Sequence, residues 1–180
     1  DPPTGQSLLG DVVREFDAWF LRDGQSVENP VAMTWANGAL YVLERSDKSI
    51  YQLDPETGEL TYQFTVPGGH DLFDITFDGT DFWGADYSSN KILQFNSTGE
   101  VTNFDGPGSA PRGIAWADGH LWVADGGTDS LYEIDPANGS VIGSPVSVPN
   151  PEGGSILNGL VFDGQQFWMN RNTGTDPARY

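Results

Sequence analysis

The chain contains no cysteine. A disulfide framework, a thiolate nucleophile and a zinc site built on thiolates are thereby excluded, which leaves packing and hydrogen bonding to hold the fold. Lysine is nearly as scarce, being limited to Lys48 and Lys91, and eight Lys and Arg stand against 26 Asp and Glu for a formal net charge of −18. Nucleic acid is not expected as a partner, because binding it takes a basic footprint that neutralises phosphates. Anionic membrane surfaces are disfavoured on the same ground. No apolar run approaches the ~20 residues a helix needs to cross a bilayer, so membrane insertion is not expected. The chain opens on Asp1-Pro2-Pro3 with no methionine and no basic, apolar leader, as expected of a mature or trimmed product. So acidic a surface repels itself unless salt screens the repulsion, and it attracts divalent cations, which together suggest a saline or extracellular setting.

What the chain has is internal repetition. The segments "MTWANGALYVLE" (33–44), "ITFDGTDFWGAD" (75–86), "IAWADGHLWVAD" (114–125) and "LVFDGQQFWMNR" (160–171) align without a gap. Each begins with an aromatic at the same place, Trp35, Phe77, Trp116 and Phe162, followed six residues later by Tyr41, Trp83, Trp122 and Trp168. The spacing of the copies is that of propeller blades. Within each copy Asn37-Gly38, Asp78-Gly79, Asp118-Gly119 or Asp163-Gly164 predicts a tight hairpin turn, because Asn, Asp and Gly tolerate positive φ. A third strand follows in "SIYQLD", "KILQFN" and "SLYEID", and a second turn leads to a fourth.

Each unit is therefore predicted to be a four-stranded antiparallel meander, and such meanders bury both faces only when arranged radially. The fold class is all-β: a propeller of about four blades in one domain, at 29–68, 69–108, 109–150 and, in part, 154–180. Flat aromatic rings are expected to fill the wedges between blades. Residues 1–10 read as an arm. Residues 11–17 read as the fourth strand of a composite closing blade, since "GDVVREF" matches "GELTYQF" (58–64). The terminal "GTDPARY" stops short of a good third strand there, with Asp176-Pro177 removing a ladder hydrogen bond. A strand from a neighbouring chain, or a longer propeller, would supply what is missing.

The stretch "PRGIAWADGHLWVADGGTDSLYEIDPANGSV" resembles the blades of the NHL-type and virginiamycin B lyase-like propellers, and more loosely those of the gluconolactonase family, over about residues 29–171. The lyase resemblance implies a histidine base beside a metal-binding acid at one mouth of the channel. His70 with Asp74 imitates that pair, but no His-x-Glu type of cluster accompanies it. The gluconolactonase resemblance implies a metal held by Glu, Asn and Asp from separate blades; Asp74 and Asn158 stand at suitable positions, and no Glu opens an inner strand. A Gly-x-Ser-x-Gly elbow is missing, and "GPGSAPRG" (106–113) puts Pro111 where a phosphate loop needs glycine and leads into a strand.

In register with Asp125 stand Glu44, Asp86 and Arg171. A carboxylate needed once per blade is structural, accepting hydrogen bonds from the amides of the next turn. Function is expected where the copies disagree near the axis. At the start of the innermost strands they read Val31, Phe73, Arg112 and Asn158, then Ala32, Asp74, Gly113 and Gly159. Asp74, Arg112, Asn158 and His70 are thus the candidate ligand-binding residues at a channel mouth, with Arg112 suited to a carboxylate. The alternative is an Asp74–Arg112 ion pair that merely neutralises the wall. No cofactor is expected; the Asp-rich turns leave calcium open without the spacing of an EF-hand loop. Sequons at Asn96 and Asn138 fall on equivalent outer turns and suit glycosylation at a cell surface. The expectation is an extracellular, non-enzymatic module that binds protein, glycan or further copies of itself, with a metal-dependent lyase or lactonase as the alternative.

Overall fold

The computed structural model describes residues 29–150 and 156–172. Three four-stranded antiparallel meanders and one hairpin follow each other along the chain. Blade 1 comprises β1 (Pro30–Ala36), β2 (Ala39–Glu44), β3 (Ser49–Leu53) and β4 (Leu60–Thr65). Blade 2 comprises β5 (Leu72–Phe77), β6 (Phe82–Asp86), β7 (Lys91–Asn96) and β8 (Gly99–Asp105). Blade 3 comprises β9 (Pro111–Ala117), β10 (His120–Asp125), β11 (Ser130–Ile134) and β12 (Val141–Ser147), and blade 4 comprises β13 (Ile156–Phe162) and β14 (Phe167–Asn172). The arm, the expected strand at 11–17 and the terminal stub lie outside the described residues.

Alternation of side chains along each strand gives every blade two faces, and the core is the set of sandwiches between blades. Tyr41, Leu43 and Ile50 of blade 1 pack on Leu72, Ile75, Phe82 and Phe95 of blade 2. On the other face of blade 2, Trp83, Ala85 and Ile92 pack on Ile114, Leu121 and Val123 of blade 3. Ala124 and Leu131 of blade 3 pack on Leu157 and Leu160 of blade 4. The second set of repeat aromatics sits in these wedges. Tyr41 meets Phe82 at 4.9 Å between ring centroids, Trp122 meets Phe167 at 4.8 Å, and Trp83 is 1% exposed. Burying a ring of that size contributes roughly 2–3 kcal/mol. Trp168, the fourth of the set, is 57% exposed.

Two expectations need correction. The leading aromatics do not simply fill wedges: Trp35, Phe77, Trp116 and Phe162 together also line a channel of about 310 Å³ along the axis. The turns also divide into two kinds. Asn37-Gly38 and Asp118-Gly119 take positive φ at both positions, as a two-residue type I′ hairpin requires. Asp78-Gly79 and Asp163-Gly164 instead open four-residue turns closed by Asp78 N–H to Asp81 O and Asp163 N–H to Gln166 O. The reason lies in the alignment: the Asp-Gly pair of these copies falls one residue earlier, so the strands are not in register for a two-residue loop. The freed carboxylates latch the blade, each accepting from the indole N–H five residues on, Trp83 at 2.7 Å and Trp168 at 2.6 Å.

Candidate functional site

The repeated carboxylates are buried and saturated with donors. Asp125 accepts from the amides of Gly127 and Thr128, from the Thr128 hydroxyl, and from the amide of Ala110 in the loop before its blade. Glu44 does the same with Ser46, Asp47 and Asn29. Each therefore ties a turn to the loop that leads into β9 or β1. Asp86 accepts from the amide of Ser89, but its second oxygen takes the Nδ1 proton of His70 at 2.5 Å in place of a loop amide. Burial opposes ionisation of Glu44 and Asp86, yet these hydrogen bonds hold both carboxyls below their usual range. Arg171 reverses the pattern and reaches back to blade 3, donating to Asp129 at 2.6 Å and to the Val148 carbonyl at 2.8 Å.

Each innermost strand carries a bulge near its start. The register of β1, β5, β9 and β13 slips between Pro30 and Ala32, Leu72 and Asp74, Pro111 and Gly113, and Leu157 and Leu160. An extra residue in a strand is left unpaired and its side chain is re-aimed. Val31, Phe73, Arg112 and Asn158 occupy these places, which is why neighbours in sequence part company in space.

Asp74 points to the axis. Its Oδ2 accepts from the amides of Ile114 in β9 and Leu160 in β13, and its Oδ1 accepts from the amide of Ile75. One side chain thus serves the open edges of the innermost strands of blades 2, 3 and 4. Gly113 permits the approach, since a Cβ there would lie 2.4 Å from the Asn158 carbonyl oxygen. Burial pushes the Asp74 carboxyl up to about 7, against the pull of the three amides.

Arg112 makes no ion pair with Asp74, so that expectation is corrected: the bulge turns the guanidinium away from the axis. Its Cζ lies 4.8 Å from the centroid of Phe73 and 4.3 Å from that of Tyr87. The Arg45 guanidinium approaches the same Phe73 at 4.0 Å and is held by both oxygens of Asp71 at 2.7 and 2.8 Å. That pairing holds the Asp71 carboxyl below its usual range. Arg45, Lys91 and Arg171 each hold a carboxylate and Lys48 caps the Gly69 carbonyl. Arg112 alone among the described Lys and Arg side chains has no oxygen partner, and its Nε is buried without one.

The remaining candidates are dispersed. His70 sits between Asp86 and Glu100, the latter 3.5 Å from Nε2, and not beside Asp74. The side chain of Asn158 hydrogen-bonds no described residue. Among the described residues no three His, Asp or Glu side chains converge to hold a metal ion. The oxygens of Asp78 and Asp129 in the Asp-rich turns are engaged by turn amides and by Trp83, Asn150 and Arg171. Asn138 is exposed on its turn, whereas Asn96 is half-buried with its amide donating to Asp81 at 2.8 Å. Sequence reasoning missed Arg45 and Tyr87, although they share one repeat position directly after Glu44 and Asp86. Comparing that position across copies reads Arg45, Tyr87, Gly126 and Asn172, and the disagreement marks it.

No known family matches the chain, and no curated protein is similar to it in sequence. Solved structures are similar in shape. A glutaminyl cyclase from Myxococcus xanthus is 15% identical with a TM-score of 0.64, over 79% of this chain and 67% of that one. A virginiamycin B lyase from Staphylococcus aureus is 23% identical with a TM-score of 0.60, over 83% of this chain and 54% of that one. The WD40 repeats of RRP9 are 17% identical with a TM-score of 0.55, over 74% of this chain and 42% of that one. The chain thus spans about half the length of the lyase. With enzymes and WD40 repeats alike among the matches, the likeness carries the fold and no activity: this chain is a β-propeller of antiparallel blades.

Proposed function

We propose that the protein is a non-enzymatic binding module, extracellular or at a cell surface, that takes a carboxylate group of a protein or glycan partner on Arg112. The observation that carries the reading is a guanidinium without an oxygen partner, lying against the adjoining rings of Phe73 and Tyr87, in a chain with 26 Asp and Glu. In so acidic a protein an idle cation would be expected to find an internal carboxylate, as Arg45 and Arg171 do. The rings offer the cation their π faces, and with no internal carboxylate on it the guanidinium keeps its terminal N–H donors for a bidentate contact. The test is calorimetric titration with succinate and D-glucuronate. Both should bind the native chain, and Arg112→Gln should lose at least tenfold in affinity with no change in the unfolding midpoint. Absence of binding to either ligand, or equal binding by the variant, would remove the reading.

A second reading, self-assembly, is favoured by the closing blade. Among the described residues β14 pairs with β13 alone. An open edge is a template for a strand from the same chain or from a neighbour. Lending the segment at 11–17 from one subunit to the next gives a heterologous contact, which builds filaments when it does not close. Light scattering of the full chain and of a chain lacking residues 1–17 distinguishes the cases. Large species that vanish on trimming support strand lending; a monomer of about the chain mass of 19.5 kDa in both cases refutes it.

A further inference from the structure

A cleft of about 370 Å³ lies at the seam between blades 1 and 4, with Asp74 in its wall beside Met33, Val161, Trp168 and Met169. A carboxylate has about four lone-pair positions. Three are filled by the amides of Ile75, Ile114 and Leu160, with one on Oδ1 and two on Oδ2, so Oδ1 keeps one vacant position. Ile75, Ile114 and Leu160 are equivalent positions of the repeat, and the fourth equivalent is Met33, across the cleft. The ring thus provides three of four donors, and the place of the fourth is occupied by open space against apolar side chains. Met33 is 63% exposed and Trp168 57%, while Asp74 is only 8% exposed. The chemistry on offer is one buried carboxyl acceptor at the base of walls made of thioethers, aliphatic groups and an indole, with the Asn170 amide as the one other polar side chain among the described lining residues.

We propose that this cleft binds a primary alkylammonium ion, its nitrogen donating to Asp74 Oδ1 and its aliphatic chain lying along Met33 and Met169 under the rim of Trp168. A neutral donor would leave the buried carboxylate uncompensated, whereas an ammonium neutralises it where water is largely excluded. Trp168 adds the face of an aromatic ring, and methionine walls adapt to a flexible chain. The net charge of −18 draws cations towards the protein from a distance. The site shares no residue with the Arg112 cluster and stands or falls independently of it.

Affinity should also follow ionisation of Asp74. Burial pushes its carboxyl up to about 7, and only the charged form attracts an ammonium. The groups facing the carboxylate are the amides of β5, β9 and β13, and among the described residues no other charged side chain lies in the cleft wall. Calorimetric titration of the full chain with n-butylammonium chloride and with n-pentanol, each at pH 5.5 and pH 8, tests the assignment. Butylammonium should bind at least tenfold more tightly than the alcohol at pH 8, and roughly thirtyfold more tightly at pH 8 than at pH 5.5, with no such slope for the alcohol. Asp74→Asn should abolish the preference for the cation. Trp168→Ala should weaken binding severalfold, and Trp168→Phe, which also loses the indole bond to Asp163 but keeps an aromatic face, should weaken it less. Equal affinity for the two ligands would mean an unspecific apolar groove. That outcome overturns the proposal, as does a failure of butylammonium to bind at millimolar concentration.

Discussion

Raising the pH from 4 to 7 should destabilise the folded chain by about 3 kcal/mol through Asp74 alone. In the unfolded chain this carboxyl releases its proton near 3.8, whereas in the propeller it holds it to about 7. Over that window the folded state carries a proton that the unfolded state has given up, so stability falls by about 1.4 kcal/mol per unit of rising pH. Below the window both states are protonated and the advantage is complete; above it both are ionised and the loss is complete. Glu44, Asp71 and Asp86 act in the opposite sense, because their carboxyls are held below the usual range. Their contribution is present above ordinary carboxylate values and disappears as the pH falls through their lower folded values, which overlaps the window of Asp74 only at its acid end. Urea unfolding of the native chain and of Asp74→Asn at pH 4.5 and pH 8 isolates the effect. The two proteins should differ in the slope of stability against pH, and parallel lines would show that Asp74 does not titrate between the states.

Asp125→Ala should cost about 4 kcal/mol. Asp125 is fully buried and receives three amides and one hydroxyl. Removing the acceptor leaves those donors in a space closed by Gly108 and Ala110, where each unsatisfied group costs about 1–3 kcal/mol. Partial access of water to the turn brings the sum below the upper limit. With native stabilities of about 5–15 kcal/mol, the variant stands close to unfolding at room temperature. Asp125→Asn keeps the shape and most acceptors and should lose less than half as much. A loss below about 1 kcal/mol for the alanine variant, read from the urea midpoint, would mean that the turn and the loop before β9 do not depend on this side chain.

The blades were legible because their causes are local. Alternation along "SLYEID", the glycine turns and the recurring carboxylates act over a few residues and repeat, so each copy checks the others. The structural role inferred for Glu44, Asp86 and Asp125 rests on such repetition, and the observed hydrogen bonds have the geometry it implies. The site was less legible because it depends on what breaks the repeat. A bulge does not announce itself in composition, yet it separates Phe73 from Asp74 and turns Arg112 to the aromatic rings. Likewise His70 could be read as a lone base in a glycine loop, but not as the ring that replaces a loop amide on Asp86, since the substitution of a side chain for a backbone donor leaves the spacing unchanged. The shift of Asp78-Gly79 by one residue was visible in the alignment and needed only a stricter count.

The single carboxylate at the axis also has a temporal consequence. Every hairpin among the described residues closes over a few residues and can form as soon as its strands are available, whereas Asp74 meets Ile114 across 40 residues and Leu160 across 86. Loop-closure entropy delays such distant contacts until the local ones exist to support them. During synthesis blade 2 therefore emerges with Asp74 hydrated and charged, and it remains so until β9 and then β13 are complete. The contact with β13 completes the withdrawal of that side chain from water, and below about pH 7 it is accompanied by the uptake of a proton.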